Sequence, residues 1–190
     1  MPKKVTVRRA EKIQMNDTTI YRALGLSECV DMLCEPNQIL ILFHVNPDGD
    51  AIGSAFAMRA LLESVGKRAV CVCADEIPER LAFATEGAQN SVALENIPAD
   101  FNPDMIISVD TASPAQLGAL YDIYKDKIDL MIDHHGKGTP YADNYILPEA
   151  SSCGEVLYGI CLELARRYSL AAIPDEVNRL IYTAISSDTG

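Results

Sequence analysis

The regular alternation of short apolar runs with longer amphipathic segments is the feature that most constrains the fold of this chain. Apolar runs predict buried strands at 38–44, 68–74, 105–109 and 130–132. Apolar residues spaced three or four apart predict helices at 19–34, 51–65, 78–85 and 114–124, and two more that begin near 152 and 174. Because successive strands and helices are joined by right-handed crossovers, this order predicts an α/β fold: a mostly parallel sheet with helices on both faces, in three αβα layers.

Size and composition fit one soluble domain. The chain has 190 residues, of which 48% are hydrophobic, which is enough to bury a core. We predict one domain at 19–190, preceded by a basic, flexible tail at 1–18. No apolar run approaches the roughly 20 residues that span a bilayer, and no signal peptide opens the chain, so we expect a cytoplasmic protein without a membrane partner. The six cysteines form no Cys-x-x-Cys pair and are expected to be free, buried thiols.

The acidic charge balance limits the class of partner. The formal net charge is −11 at pH 7. Since proteins that bind duplex DNA normally present a basic surface, we expect no duplex DNA partner. A short anionic substrate remains compatible with this charge if part of the negative charge is gathered around bound cations. The sequence leaves the oligomeric state, including a homodimer, open.

Polar residues capable of binding metal follow three of the predicted strands. They are His44, Asp48 and Asp50 after the first strand, Asp110 after the third, and Asp133, His134 and His135 after the fourth. Ligands of open parallel sheets bind beyond the carboxyl ends of the strands, so these side chains are expected to converge. They include all three histidines of the chain. Carboxylates with imidazoles suit manganese, magnesium, cobalt or iron better than they suit a closed structural zinc site.

Each cluster also has a purely structural interpretation. Asp110 could be no more than the start of a helix, and Asp48 could be a turn residue and helix N-cap. His44 could be a core histidine with satisfied hydrogen bonds. The run from Asp133 to His135 is harder to explain in this way, because two imidazoles and a carboxylate after a buried strand are costly to desolvate. The conjunction of all three clusters at strand ends favours a metal site.

Four motifs, taken in order, resemble the phosphoesterases named for the Asp-His-His motif, and more narrowly their nanoRNA-degrading and phosphoadenosine-phosphate phosphatase branch. The resemblance spans 38–190. The matching segments are His44-Val45-Asn46-Pro47-Asp48-Gly49-Asp50-Ala51-Ile52-Gly53-Ser54, Ser108-Val109-Asp110-Thr111, Asp133-His134-His135 and Ser187-Asp188-Thr189-Gly190.

The resemblance implies two divalent cations, with manganese preferred and magnesium or cobalt as alternatives. It implies that one cation is held by His44, Asp48 and Asp110, and the other by Asp50, Asp110, His134 and Asp188. Asp133 and His135 are the implied catalytic residues: Asp133 orients its neighbours and His135 faces the substrate phosphate. Lys137 lies between two glycines and is a further candidate for phosphate contact, although an exposed loop lysine would show the same pattern.

The resemblance implies hydrolysis of short oligoribonucleotides, of 3',5'-bisphosphorylated adenosine, or of both, by water activated between two metals. The expected partner is therefore short RNA or a small nucleotide. The alternatives are a cyclic dinucleotide phosphodiesterase, a pyrophosphatase-like hydrolase, or a metal- or nucleotide-binding module without catalysis. Complete members of the family continue past the fourth motif into a second, substrate-binding domain, which we expect to be absent because the sequence stops at Gly190.

Overall fold

A five-stranded parallel sheet forms the centre of the structure, a computed structural model that describes residues 14–15, 18–85 and 93–190. Its strands are β3 (Gln38–Leu42), β4 (Arg68–Val72), β5 (Met105–Val109), β6 (Leu130–Asp133) and β7 (Asp143–Ile146), after a short antiparallel pair, β1 (Gln14–Met15) and β2 (Thr18–Thr19). The strand order is β4-β3-β5-β6-β7. The predicted tail at 1–18 lies almost entirely outside the described residues.

Helices cover both faces of this sheet. They are α1 (Leu26–Cys34), α2 (Gly49–Ser64), α3 (Ala119–Tyr124), α4 (Cys153–Tyr168) and α5 (Asp175–Thr189), with 3₁₀ turns at Glu79–Ala84, Leu94–Asn96 and Pro114–Leu117. The larger apolar core lies between one face and α1, α2, α4 and α5, while the smaller core lies under α3 and the turn that precedes it. Because apolar side chains are buried on both faces, the central strands read as continuous apolar runs. The predicted three-layer α/β fold is confirmed.

The order of the strands creates a crevice at the carboxyl end of the sheet. The chain runs from β3 outward to β4 and then returns to place β5 on the other side of β3. Loops that leave β3 and β5 therefore diverge to opposite faces, and this topological switch point is where open α/β sheets bind ligands. The three predicted polar clusters lie in the loops at this end.

Two predicted helices differ from the structure. The helix predicted at 19–34 begins only at Leu26, because the preceding chain is extended along β7, where the Leu24 N–H donates to the Asn144 carbonyl. The helix predicted at 114–124 is broken at Gly118, whose φ of 54° lies outside the helical range. An ideal Cβ at Gly118 would lie 2.7 Å from Val45 Cγ1, so both the backbone angle and the contact with the β3 loop favour glycine.

Two other segments also differ from the prediction. Strand β7 was missed, because Asp143 and Asn144 interrupt the apolar pattern that identifies a buried strand. Helix α5 continues to Thr189, whereas the sequence predicted only that a helix begins near 174. Asp188 therefore lies in the last turn of α5, and the packing of this helix fixes the position of its backbone.

Helices α2 and α5 pack in close contact through glycines. An ideal Cβ at Gly53 would lie 2.7 Å from the Leu180 carbonyl oxygen, and one at Gly49 would lie 2.7 Å from Ser187 Cβ. An ideal Cβ at Gly154 would lie 2.5 Å from Ala184 Cβ. Such contacts are shorter than real Cβ contacts, so these three glycines let the backbones of α2, α4 and α5 approach one another. No helix in the described parts of the chain is both long and apolar enough to cross a membrane.

This packing predicts that alanine has opposite effects on stability at two helical glycines. Gly53→Ala should destabilise the chain by about 1–3 kcal/mol, because the added methyl group meets backbone atoms of α5 that cannot rotate away. Gly159→Ala, inside α4 with open space around it, should stabilise the chain by about 0.5–1 kcal/mol, because alanine has less backbone freedom to lose. Urea denaturation of both variants measures the difference. A Gly53→Ala variant as stable as Gly159→Ala would contradict the close packing.

Candidate metal centre

The loop after β3 and the loop after β5 bring His44, Asp48 and Asp110 together. His44 Nε2 lies 3.4 Å from Asp110 Oδ2 and 3.7 Å from Asp48 Oδ1. The His44 Nδ1 lies 2.8 Å from the Val45 carbonyl oxygen, which can only accept, so Nδ1 carries the proton. Nε2 points at the two carboxylates, to which it donates when the ring is protonated, and it offers a lone pair to a cation when the ring is neutral. A backbone acceptor on the far nitrogen is the usual arrangement for a histidine that binds metal.

A second group lies beside the first and combines residues from α2, from α5 and from the loops after β5 and β6. His134 Nε2 is 3.7 Å from Asp50 Oδ2, 3.5 Å from Asp188 Oδ2 and 3.7 Å from Asp110 Oδ1. These separations are longer than ordinary hydrogen bonds. The far nitrogen, His134 Nδ1, lies 3.3 Å from the Ala150 carbonyl oxygen. Asp110 therefore faces both groups, with one carboxylate oxygen toward each.

Asp50 is held in this group by the N-terminus of α4. Its Oδ2 accepts the Cys153 N–H at 2.7 Å, and its Oδ1 accepts the Gly154 N–H at 2.9 Å and the Ser54 hydroxyl at 3.0 Å. The N-terminus of a helix carries a partial positive charge and unpaired N–H groups, which stabilise an anion. Asp48 has a similar local role, because its Oδ1 caps α2 by accepting the N–H groups of Asp50 and Ala51. The N-cap interpretation of Asp48 is thus correct and compatible with metal binding.

Asp110 is buried in an unusual backbone conformation. Its φ is 53°, in the left-handed region, which costs a residue other than glycine about 1–3 kcal/mol. The Asp110 N–H donates to the Ile132 carbonyl at 3.0 Å, and the next residue, Thr111, shares a hydrogen bond with the Tyr141 hydroxyl. The Tyr141 hydroxyl also donates to Ser108 Oγ at 2.8 Å. This buried network fixes the turn on both sides of Asp110.

Asp133 and His135 form a pair at the edge of the site. The His135 Nδ1 donates to Asp133 Oδ1 at 2.7 Å, and it lies 3.8 Å from Asp110 Oδ1. Asp133 is fully buried, whereas the His135 side chain is 39% exposed. The pair therefore fixes the orientation of a ring that solvent, and hence a substrate, can reach.

Lys137 is not among the side chains that converge. It lies on the exposed loop after His135, and no hydrogen bond or ion pair joins its side chain to the rest of the described chain. Its loop is nevertheless tightly packed: an ideal Cβ at Gly138 would lie 2.2 Å from the Ala112 carbonyl oxygen, and one at Gly136 would lie 3.2 Å from Pro148 Cβ. The two flanking glycines therefore permit close contact with neighbouring loops.

The sequence did not predict the supporting roles of several residues around the site. Ser54 follows Asp50 by one helical turn, and that spacing was a usable signal. The backbone donors Cys153 and Gly154 lie more than 100 positions from Asp50, and the buried Tyr141 lies 33 positions from Ser108. No local pattern connects such pairs, because they meet only through the order of the strands.

Buried polar atoms without hydrogen-bond partners indicate that a cation fits this centre. Asp110 Oδ1, Asp133 Oδ2 and His134 Nε2 are buried without a hydrogen-bond partner among the described residues. An unpaired buried carboxylate oxygen is costly unless a cation or a proton compensates it. The oxygen and imidazole donors fall into small groups whose ligand atoms lie within 4.8 Å of one another. Both observations fit divalent cations of the manganese and magnesium class.

The pKa values of three groups in the site are raised, whereas the hydrogen bond with His44 lowers the pKa of Asp48 to about 2. Burial, reinforced by the negative charge of Asp110, raises the pKa of both Asp50 and Asp188. Burial lowers the pKa of His44, but its hydrogen bonds with Asp110 and Asp48 outweigh burial and raise the pKa to about 10. In the absence of cations, protons bound at Asp50, Asp188 and His44 therefore stabilise the folded chain relative to the unfolded chain.

These shifts predict how the metal-free chain responds to pH. A carboxyl pKa raised in the folded state means that the folded chain binds more protons than the unfolded chain above the ordinary value near 4, so stability falls as pH rises through that window. The raised pKa of His44 acts in the same sense, because its stabilisation is lost as pH rises from the ordinary value near 6.5 toward 10. Chelator-treated protein should therefore melt at a lower temperature near pH 7.5 than near pH 5.5.

Asp188→Asn is the matched control for this pH dependence, because it removes one carboxylate from the partly exposed end of α5. Its melting temperature should fall less between the two pH values. Added manganese should raise the melting temperature of the unmodified chain more near pH 7.5 than near pH 5.5, since cations compete with protons for the ligands. Equal responses of the unmodified chain and Asp188→Asn would contradict the crowding of these carboxylates.

Several proteins with similar sequences are named for activity on phosphate compounds. The chain is 26% identical over 153 residues to the bifunctional oligoribonuclease and PAP phosphatase NrnA of Thermus thermophilus, covering 80% of this chain and 43% of that protein. It is 25% identical over 158 residues to a protein of Streptococcus mutans named probable manganese-dependent inorganic pyrophosphatase, covering 80% of this chain and 48% of the relative. The chain thus spans less than half the length of these curated relatives.

Structural comparison supports the same fold. An exopolyphosphatase-related protein of Bacteroides fragilis superposes with a TM-score of 0.74 at 24% identity, over 87% of this chain and 50% of that protein. The sequence model of the DHH family, N-terminal domain, matches residues 38–185, which include all three strand-end clusters. On this match, the chain belongs to the DHH family.

Proposed function

We propose that the chain is the catalytic domain of a phosphoesterase that hydrolyses short oligoribonucleotides, 3',5'-bisphosphorylated adenosine, or both, with the help of two divalent cations. The observation that carries this proposal is the pair of adjacent ligand groups that share Asp110. A buried carboxylate with each oxygen facing a different group of ligands is the arrangement expected of a bridging ligand. Sites with two bridged metals are typical of enzymes that displace groups at phosphorus.

Each ligand group has enough donors for one cation and leaves positions open for water and substrate. One cation would be held by His44, Asp48 and Asp110. The other would be held by Asp50, Asp110, His134 and Asp188. Two divalent cations held by these residues would lower the pKa of bound water and neutralise charge on phosphate oxygens. Manganese is the proposed ion, since the donors are carboxylates and imidazoles and one relative is named as manganese-dependent.

The protein itself contributes orientation and electrostatic stabilisation. Asp133 accepts the Nδ1 proton of His135, so the exposed ring can direct a protonated Nε2 at a phosphoryl oxygen. Burial lowers the pKa of His135, but the hydrogen bond and charge of Asp133 outweigh burial and raise it, which favours the protonated ring. A positioned proton donor stabilises the charge that develops on phosphate in the transition state. Lys137, presented beside His135 by its flanking glycines, is proposed to contact a more distant phosphate.

The proposed substrates follow from the relatives and from the form of the site. The relative from Thermus thermophilus is named for activity on oligoribonucleotides and PAP, and the His135 ring beside the ligand groups is 39% exposed, so a phosphate can reach it. The net charge of −11 disfavours a long polyanion, because such a partner would be repelled beyond the reach of the cations. A short nucleotide brings few phosphates and can place one of them at the site.

A substrate panel with one inactive variant tests this function. With manganese, the chain should release mononucleotides from RNA of a few residues, or phosphate from 3',5'-bisphosphorylated adenosine. Asp110→Asn should abolish turnover and lower the manganese content, because it removes the bridging charge. Asparagine tolerates the left-handed backbone found at this position, so the variant should keep its fold. Turnover of only a cyclic dinucleotide or only pyrophosphate would overturn the proposed substrate class, and tight binding without turnover would overturn catalysis.

Two neighbouring side chains separate catalysis from substrate binding. His135→Ala should lower kcat by about 100-fold while leaving manganese content unchanged, because it removes a positioned donor and no proposed ligand. Lys137→Ala should mainly raise KM for substrates with more than one phosphate, since its proposed contact lies away from the reacting group. Metal analysis and steady-state kinetics measure both effects. A His135→Ala variant that loses manganese would show that this imidazole is a ligand.

A further inference from the structure

The loop after β4 contacts the metal-binding loop after β3 through two hydrogen bonds, and a third bond lies within the β4 loop itself. The Cys73 thiol donates to the His44 carbonyl at 3.2 Å, and the Asp75 N–H donates to Cys73 Sγ at 3.4 Å. The Asn46 N–H donates to Asp75 Oδ2 at 2.8 Å. Neither Cys73 nor Asp75 belongs to any of the four motifs. We call these two residues the β4 brace.

The β4 brace acts on the point where the metal-binding loop turns. Asn46 has a φ of 50°, in the left-handed region that asparagine tolerates, so the loop turns sharply at this residue. This turn separates His44 from Asp48 and lets both side chains aim at the same point, where His44 Nε2 lies 3.7 Å from Asp48 Oδ1. A carboxylate on the Asn46 N–H is a direct way to hold the turn.

The metal-binding loop is held on its other side by the loop after β5. The Val45 N–H donates to the Gln116 carbonyl at 2.8 Å, and Val45 packs against Gly118. The segment from His44 to Asn46 is therefore fixed between the loops of the two strands that flank β3. The ligands of the second group, Asp50, His134 and Asp188, make no hydrogen bond with the β4 brace in the described structure.

We propose that Asp75, assisted by Cys73, is a positioning residue for the cation held by His44, Asp48 and Asp110, and that it has no comparable effect on the cation of the second group. The inference rests on the proposed two-cation function. Residues that hold metal ligands from outside the ligand set typically contribute about 10-fold to 100-fold in metal affinity. Asp75 is exposed, so its substitution should leave the fold intact.

Manganese titration of the purified chain, followed by the electron paramagnetic resonance signal of free Mn²⁺, tests this inference. Asp75→Ala should weaken one of the two bound ions by about 10-fold or more and leave the other nearly unchanged. Asp75→Asn should restore most of the loss, because its amide oxygen can accept the same N–H. Cys73→Ala should weaken the same ion, since it removes the other part of the brace. The double variant Asp75→Ala/His44→Ala should bind no more weakly than His44→Ala alone, because both changes act on one ion.

Asp104→Ala is the matched structural control. Asp104 also accepts backbone N–H groups, those of Asn37 and Gln38, but it does so at the opposite end of β3. It should lower the melting temperature without changing either manganese affinity. Equal weakening of both ions by Asp75→Ala, the same pattern in Asp104→Ala, or unchanged affinities would overturn the positioning role alone. Failure of the unmodified chain to bind two manganese ions would overturn both this inference and the proposed function.

Discussion

Repulsion among buried carboxylates is the constraint on which the rest of the structure depends. Burial raises the pKa of Asp50 and Asp188, and both lie close enough to Asp110 for its charge to raise the pKa further. Such a cluster destabilises a fold unless protons or cations compensate it. The structure reduces this cost locally, because Asp50 accepts N–H groups at the start of α4. The remaining unpaired oxygen of Asp110 and the unpaired Nε2 of His134 can be satisfied by a cation, which links the stability of this end of the sheet to metal binding.

The close packing of α2, α4 and α5 brings the ends of these helices together at the carboxylate cluster. Asp50 lies at the start of α2, Asp188 lies at the end of α5, and the backbone donors to Asp50 lie at the start of α4. Three helix ends can meet at one point only if the helices approach closely, and Gly49, Gly53 and Gly154 remove the side chains that would prevent it. The apolar core behind the sheet and the charged centre at its edge are therefore not independent. A methyl group added to the helix interface should also disturb the ligands.

Left-handed backbone at two loops also positions the side chains of this cluster. Asp110 and Asn46 both adopt left-handed conformations, and each is held by hydrogen bonds from a neighbouring strand or loop. Side chains that leave consecutive strands in ordinary extended conformations would point away from one another. The turns redirect them to a common point, and their supports, Tyr141 on one side and the β4 brace on the other, keep that geometry in place before a cation binds. Preorganised ligands bind metal with a smaller entropic cost.

The sequence by itself determined the fold class and the identity of the chemical groups. The alternation of apolar runs and helical periodicity is a local property, so it predicted four of the five strands in the central sheet and most helices, and the aspartates and histidines after the strands indicated metal chemistry. Local patterns failed where a contact between distant segments decided the outcome, as in β7, whose polar residues pair with β6, and at Gly118, where the β3 loop is in contact. Only the tertiary structure decided that Asp110 faces both groups of side chains, that Asp188 reaches the site from a helix, and that the Asp75 carboxylate accepts the Asn46 N–H in the loop after β3. These features depend on strand order and helix packing, which bring together residues that are far apart in the chain.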